Sequence, residues 1–190
     1  MSKRDEIIEA TCQLLEAQGF HGTGLNQILA ESEAPKGSLY HYFPGGKEEL
    51  TAAAVERSGH AVAARIRQGL EPINDPAETI PEFIRKIAWG VEVSGFQAGG
   101  PLTMVAMETV TSSQHLNQTC RSAYQRLQGA FQERLEAGGL SAGRAAELAQ
   151  FITAAIEGGI ILSRTYHTGD PLRRVAEELG RVLKVETPSP

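Results

Sequence analysis

Cysteine is nearly missing from this chain, with Cys12 and Cys120 the two among 190 residues. They lie far apart, each within a helical apolar pattern. They make neither a disulfide framework nor a metal site, and reduced thiols in a cytoplasmic protein are expected. The five histidines, at positions 21, 41, 60, 115 and 167, show no paired metal-ligand spacing. His115 and Cys120 are five apart and do not share a helix face, which excludes a Cys–His dyad there. Gly19, Gly22 and Gly24 follow no strand, so no dinucleotide loop is implied. No enzyme, cofactor or metal is expected. No run approaches the roughly 18 apolar residues of a membrane span. The start, MSKRDEIIEATCQLL, is too broken by charge to be a signal peptide. Positive charge is scarce as well. The net charge is −5, and residues 1–50 set four cations (Lys3, Arg4, Lys36, Lys47) against eight acids, a net of −4. Bulk attraction to nucleic acid is therefore excluded, and any DNA binding must come from a few well-placed groups.

What the chain does have is helical periodicity. A hydrophobic content of 41% with 22% charged residues fits one or two globular domains with a real core. Ile7, Ile8, Cys12, Leu14 and Leu15 recur at three- and four-residue spacings over 3–18, and Gly19 supplies a left-handed cap. Thr23 is placed to cap a short helix carrying Leu25, Ile28 and Leu29. After the turn Ser32–Glu33–Ala34, Pro35 takes a first-turn position in a third helix reaching Phe43. Leu39 and Phe43 share its inner face. Pro44-Gly45-Gly46 breaks the chain before a long helix over 47–68, and Pro72, Asn74, Asp75 and Pro76 form a linker. Further helices are expected over 77–97, 102–110, 114–137, 142–168 and from Asp170-Pro171 to about 184, with a frayed tail from Glu186 to Pro190. No strand pattern is present. The expectation is an all-α chain of about nine helices.

The stretch EAPKGSLYHYFPGGKEEL at 33–50 crowds polar aromatics and small residues onto one short helix. Two helices of about seven and nine residues across a three-residue turn make a helix-turn-helix, whose second helix presents its N-terminal half to the major groove. Lys36, Gly37, Ser38 and Tyr40 stand there. Gly37 lets the backbone approach phosphate, while Ser38 and Tyr40 reach base edges or phosphate. His41 points outward with them. Tyr42 and Lys47 flank as phosphate contacts beside the N-terminus of the fourth helix, and Thr23 with Gly24 would act likewise at the second. The competing reading is a helical corner whose tyrosines cover a small core.

Beyond residue 50 the chain offers large, adaptable apolar side chains: Trp89, Phe96, Met104, Met107, Phe131 and Phe151. Glu92, Glu108, Tyr124 and Gln125 are suited to orienting a small ligand. Ordinary core is the alternative for the whole set. For Glu108, contact with a ligand and plain solvent exposure both stand open. The 142–168 helix is apolar almost all the way round, which implies burial on more than one side. With the last helix it would form a dimer interface through Phe151, Ala155, Gly158, Gly159, Leu162, Leu172, Val175 and Leu179, the glycines admitting a partner helix. A helix internal to a monomer is the alternative.

Phe20-x-Gly22-Thr23-x-Leu25-x-x-Ile28-Leu29, then Pro35-Lys36-Gly37-Ser38-Leu39-Tyr40-His41-Tyr42-Phe43 and Lys47-Glu48-Glu49-Leu50, resemble the DNA-binding domain of the TetR family of bacterial transcriptional regulators, from about Ile7 to Leu50. The extra residue in Phe43-Pro44-Gly45-Gly46-Lys47, Gly-Pro-Leu at 100–102 and the apolar 148–162 stretch resemble the LmrA/YxaF-like branch. The resemblance implies a helix-turn-helix domain over 1–50 and a ligand-binding and dimerisation domain over 51–190, joined by the 47–68 helix. It also implies a homodimeric repressor on a palindromic DNA operator, released by a small aromatic or drug-like effector. The alternative is a helical small-molecule-binding protein without DNA binding. There are two departures from the family pattern: Glu33 and Ala34 stand where a turn glycine is common, and Gly24 where a hydroxyl residue is.

Overall fold

The structure is a computed structural model, described for residues 2–71 and 75–186. Among these residues it has nine helices and no strand: α1 Lys3–Gly22, α2 Leu25–Glu31, α3 Lys36–Tyr42, α4 Gly46–Leu70, α5 Pro76–Val93, α6 Pro101–Thr109, α7 Gln114–Ala137, α8 Ala142–Tyr166 and α9 Asp170–Glu186. The chain divides into two compact units. One comprises Met1–His60 with Gly100–Tyr124, and the other Ala61–Gly99 with Gln125–Pro190. Residues 100–124 thus pack with the N-terminal helices, because α6 lies on α1.

In the first unit, α1 opens with a reciprocal capping box between Ser2 and Asp5. Gly19 (φ +73, ψ −176) ends the first helical stretch of α1, as expected of a left-handed cap, and a further turn follows across the kink to Gly22. The core holds Ile7, Leu15, Ile28, Leu39, Phe43, Leu50 and Val105. The Cys12 thiol donates to the Ala54 carbonyl at 3.4 Å. Burial pushes its pKa up to about 12 and that of Cys120 to about 11, so both stay protonated and unreactive at neutral pH.

The second unit is built on α5, α8 and α9. Asp75 caps α5 by accepting from the Ala77 N–H at 2.8 Å. The helix ends at Val93, short of the expected residue 97, because Gly95 and Phe96 both take positive φ. Helix α8 ends at Tyr166, with His167 left-handed (φ +53). α9 buries Leu172, Ala176, Leu179 and Leu183. Glu186 is not frayed: it closes α9 and pairs with Arg144. Thr187–Pro190, and Pro72 and Asn74 of the expected linker, lie outside the described residues.

Helix α8 is long and apolar enough by composition to cross a membrane, but its Ala145, Leu148, Ala149, Ile152, Ile156 and Gly159 face forms core within the unit. It is not buried all round. Phe151, Ile161 and Leu162 stay 53%, 51% and 44% exposed.

Candidate DNA-binding surface

Helix α3 is seven residues long and starts at Lys36, with Pro35 as its cap. Leu39 and Phe43 are 0% and 1% exposed and anchor it to the core. Four-residue spacing puts them on one side and turns the remainder outward. Lys36, Gly37 and His41 are exposed, Ser38 is half-buried, and Tyr40 and Tyr42 are 52% and 36% exposed. The His41 ring meets that of Tyr42 edge-on at 5.0 Å. A corner that used its tyrosines as core would have buried them.

The turn before α3 forms without glycine. Glu33 takes φ +48, the Ala34 N–H donates to the Leu29 carbonyl at 3.1 Å, and Ala34 is buried beneath the turn. A left-handed non-glycine residue costs about 1–2 kcal/mol. The helix pair therefore bears a local strain that glycine would relieve.

Thr23 is the residue that differs most from expectation. It is 1% exposed, and its hydroxyl donates to the Gly19 carbonyl at 2.7 Å. Its own N–H goes to the Phe20 carbonyl. Both donors are consumed inside the unit, so the side chain knits the end of α1 and does not present itself to phosphate. Gly24, exposed, is the cap of α2.

Lys47 stands in the first turn of α4, with its Nζ 4.3 Å from the centre of the Phe20 ring. Desolvation pushes its pKa down, and the charge of Glu108 acts to raise it. On the other flank, the Arg4 guanidinium lies 5.3 Å over the Phe43 ring.

The acids that give residues 1–50 their net −4 lie off α3, and three of them are paired with cations. Six of the eight are occupied within the unit: Asp5 and Glu9 by Arg57, Glu6 by Lys3, Glu16 by the Gly100 N–H, Glu48 by the Ser113 hydroxyl and Glu49 by the Gly45 N–H.

The candidate ligand residues divide between the two units. In the first unit, Met107 is 75% exposed and Met104 half-buried. The Tyr124 hydroxyl shares a 3.1 Å hydrogen bond with that of Thr103, and Glu108 accepts from the His21 N–H at 2.8 Å. In the second, Trp89 and Phe151 are 66% and 53% exposed, and Phe131 is core, edge-on to Phe83 at 6.2 Å. Glu92 accepts from Arg173 at 2.6 Å and from the Gly169 N–H at 2.9 Å, which hold its pKa below the usual carboxylate range. Phe96 meets the His167 ring at 5.1 Å, and its carbonyl accepts from Arg164. Two open clefts lie in this unit. One, of about 520 Å³ between α5 and α9, is lined by Glu82, Arg85, Glu177 and Arg181 among others. The other, of about 400 Å³ between α7 and α8, takes in Gln125 with Gln128, Gln132 and Gln150. Of the ten candidates, Gln125 alone lines either of these two clefts.

The expected interface residues also divide. Phe151 and Leu162 are exposed, and Ala155, Gly158 and Val175 are half-buried. Leu172 and Leu179, at 0% and 2% exposure, belong to the core. A Cβ on Gly159 would stand 2.8 Å from Leu172 Cδ2, whereas one on Gly158 would meet nothing within 4 Å. Gly159 serves the α8–α9 packing of its own chain, and Gly158 faces outward.

Comparison with known proteins decides the family. Residues 7–54 match the model described as bacterial regulatory proteins, tetR family. Residues 76–178 match the transcriptional regulator LmrA/YxaF-like C-terminal domain. The chain belongs to the TetR family. This TetR-family chain is 38% identical to the HTH-type transcriptional regulator LmrA of Bacillus subtilis over 181 residues, 95% of this chain and 96% of LmrA. It is 39% identical to YxaF of the same organism over 93% of this chain and 92% of that one. Its fold matches reduced Escherichia coli NemR with a TM-score of 0.82 at 23% identity, covering 100% of both chains. A regulatory protein from Rhodobacter sphaeroides gives 0.81 over 93% of this chain and 96% of that one, also at 23% identity. The TetR-family chain is thus a helix-turn-helix, DNA-binding transcriptional regulator and not an enzyme.

Proposed function

We propose that this regulator is a ligand-responsive repressor that binds a palindromic operator as a homodimer in the bacterial cytoplasm. A small, aromatic or drug-like effector releases it. The observation that carries the reading is α3: its acid-free outer face offers Lys36, Gly37, Ser38, Tyr40, His41 and Tyr42 while Leu39 and Phe43 hold it to the core. Lys36, Tyr42 and Lys47 take phosphate, with Gly24 and Gly37 admitting the backbone. Ser38 and Tyr40 read base edges. Residues 1–50 act as the DNA-binding domain and 51–190 as the domain for effector and partner, with α4 common to both.

Dimerisation is supported by the outward stripe Phe151, Ala155, Gly158 and Leu162 on α8 together with Val175 on α9. Its spacing of four, three and four residues is that of a packed helix seam. Such a pair sets two recognition helices about 34 Å apart, one turn of DNA. An effector that binds the released form better drives dissociation by that difference in affinity alone.

Selection from random duplexes with the purified protein at two salt concentrations tests the proposal. A palindrome with half-sites one helical turn apart is expected, more tightly held at the lower salt. No enrichment at low salt overturns the repressor reading in favour of a small-molecule-binding dimer without DNA binding, towards which the net −4 of residues 1–50 points.

A further inference from the structure

Helix α6 is fastened to α1 at both of its ends. At the first, the Gly100 N–H donates to Glu16 Oε1 at 2.9 Å. At the second, Glu108 Oε2 accepts from the His21 N–H at 2.8 Å. The second fastening is shaped around a missing side chain. A Cβ on Gly19 would stand 2.1 Å from Glu108 Oε1, and Gly19 also carries φ +73. The carboxylate therefore occupies space that only glycine leaves, at the break in α1 just ahead of α2. Between the two residues that this carboxylate engages on α1 lies Phe20, whose ring holds the Lys47 ammonium at 4.3 Å. An ammonium on an aromatic face is attracted by the negative face of the ring, more strongly as it loses water. An internal carboxylate acting on the same ammonium competes for the charge that a phosphate would use.

We propose that Glu108 is a brake on DNA affinity, a positioning residue that keeps the Lys47 ammonium parked against Phe20 and supplies it with an internal anion in place of a DNA phosphate. This rests on the reading of α3 and the start of α4 as the DNA-facing surface. The brake lies on α6, outside the helix-turn-helix. Any displacement of α6 that withdraws Glu108 frees a cation at the head of α4.

Glu108→Gln isolates the charge, because the amide oxygen still accepts from the His21 N–H and fits the space over Gly19. Its operator affinity is expected to rise about threefold to tenfold at low salt, with a steeper salt dependence as Lys47 reaches phosphate. In a Lys47→Ala background the same change should leave affinity unaltered, which a merely structural role for Glu108 would not give. An independent readout needs no DNA: the Lys47 side chain, followed by NMR, should titrate at lower pH in Glu108→Gln than in the unaltered protein. An affinity that stays level or falls, or an equal gain without Lys47, overturns the brake. If no variant binds a duplex, the brake fails with the repressor reading. In that case an unchanged Lys47 titration would show that the Glu108–Lys47 coupling is absent too.

Discussion

Helices α3 and α8 each leave one chemically uniform face uncovered, and the two faces are opposites. α3 shows hydroxyls, an imidazole, an ammonium and a bare glycine. α8 shows Phe151, Ile161 and Leu162 around Gly158. Each helix also has a buried apolar side, so the burying of hydrocarbon does not distinguish them. The outer face does: one suits a hydrated polyanion, where a few hydrogen bonds position the protein. The other suits a second hydrocarbon surface, where area and close approach matter.

The largest expected effect comes from spoiling the hydrocarbon face. Leu162→Glu places a charge where we propose the partner helix packs. The dimer dissociation constant should rise about a hundredfold, ~2.7 kcal/mol, by sedimentation equilibrium, with the helical content unchanged. An unaltered dimer would move the interface off α8. On the polar face, Ser38→Ala is expected to relax base preference at one operator position by about 1–3 kcal/mol. Lys47→Ala should instead weaken binding to every sequence and lower the salt slope by less than the ~0.9 of a full phosphate contact, because Glu108 already engages part of that charge. Competition titrations against altered duplexes separate the two effects.

The adjacent glycines sharpen the contrast within α8 itself. Gly159→Ala forces a methyl toward Leu172 and Val175 and should lower unfolding free energy by about 1–3 kcal/mol. Gly158→Ala meets nothing in its own chain and should raise the stability of the single chain by up to about 1 kcal/mol, while loosening the dimer. Denaturant unfolding beside sedimentation reads both. Glu33→Gly, which removes the positive-φ strain in the turn, should add about 1 kcal/mol without changing operator preference.

The smallest effect is one of pH. The folded pKa of Glu92 is lowered, first by its hydrogen bond from Arg173. Its contribution to stability is therefore complete above the ordinary value of 4.5 and lost as pH falls through the lowered one. The stability gap between the parent and Arg173→Ala should close over that range in thermal melts.

Much of this arrangement was legible in the chain. Three- and four-residue apolar spacing marks every helix, and Leu39 with Phe43 fixes which side of α3 is inward. Where the reading departs from the structure, the cause is contact between distant residues. Thr23 looks like a helix cap by position, but its hydroxyl found the Gly19 carbonyl. Leu172 and Leu179 look no different from Phe151 or Leu162, since periodicity gives a direction on a helix and does not say whether its own chain or another fills it. Glu108 had no local sign of its role. The His21 N–H from which it accepts is 87 positions away, and the glycine at 19 reads from the sequence only as a helix cap.

The unit that contains α3 is assembled from two separate lengths of chain, 1–60 and 100–124. During synthesis the first emerges well before the second. At about 5–20 residues per second the gap between positions 60 and 124 lasts roughly 3–13 s. Over that interval the nascent helix-turn-helix has neither the Glu108 nor the Gly100 fastening. A fragment cut after α4 is held permanently at this stage, so it would present α3 to DNA without the internal anion that attends Lys47 in the finished protein.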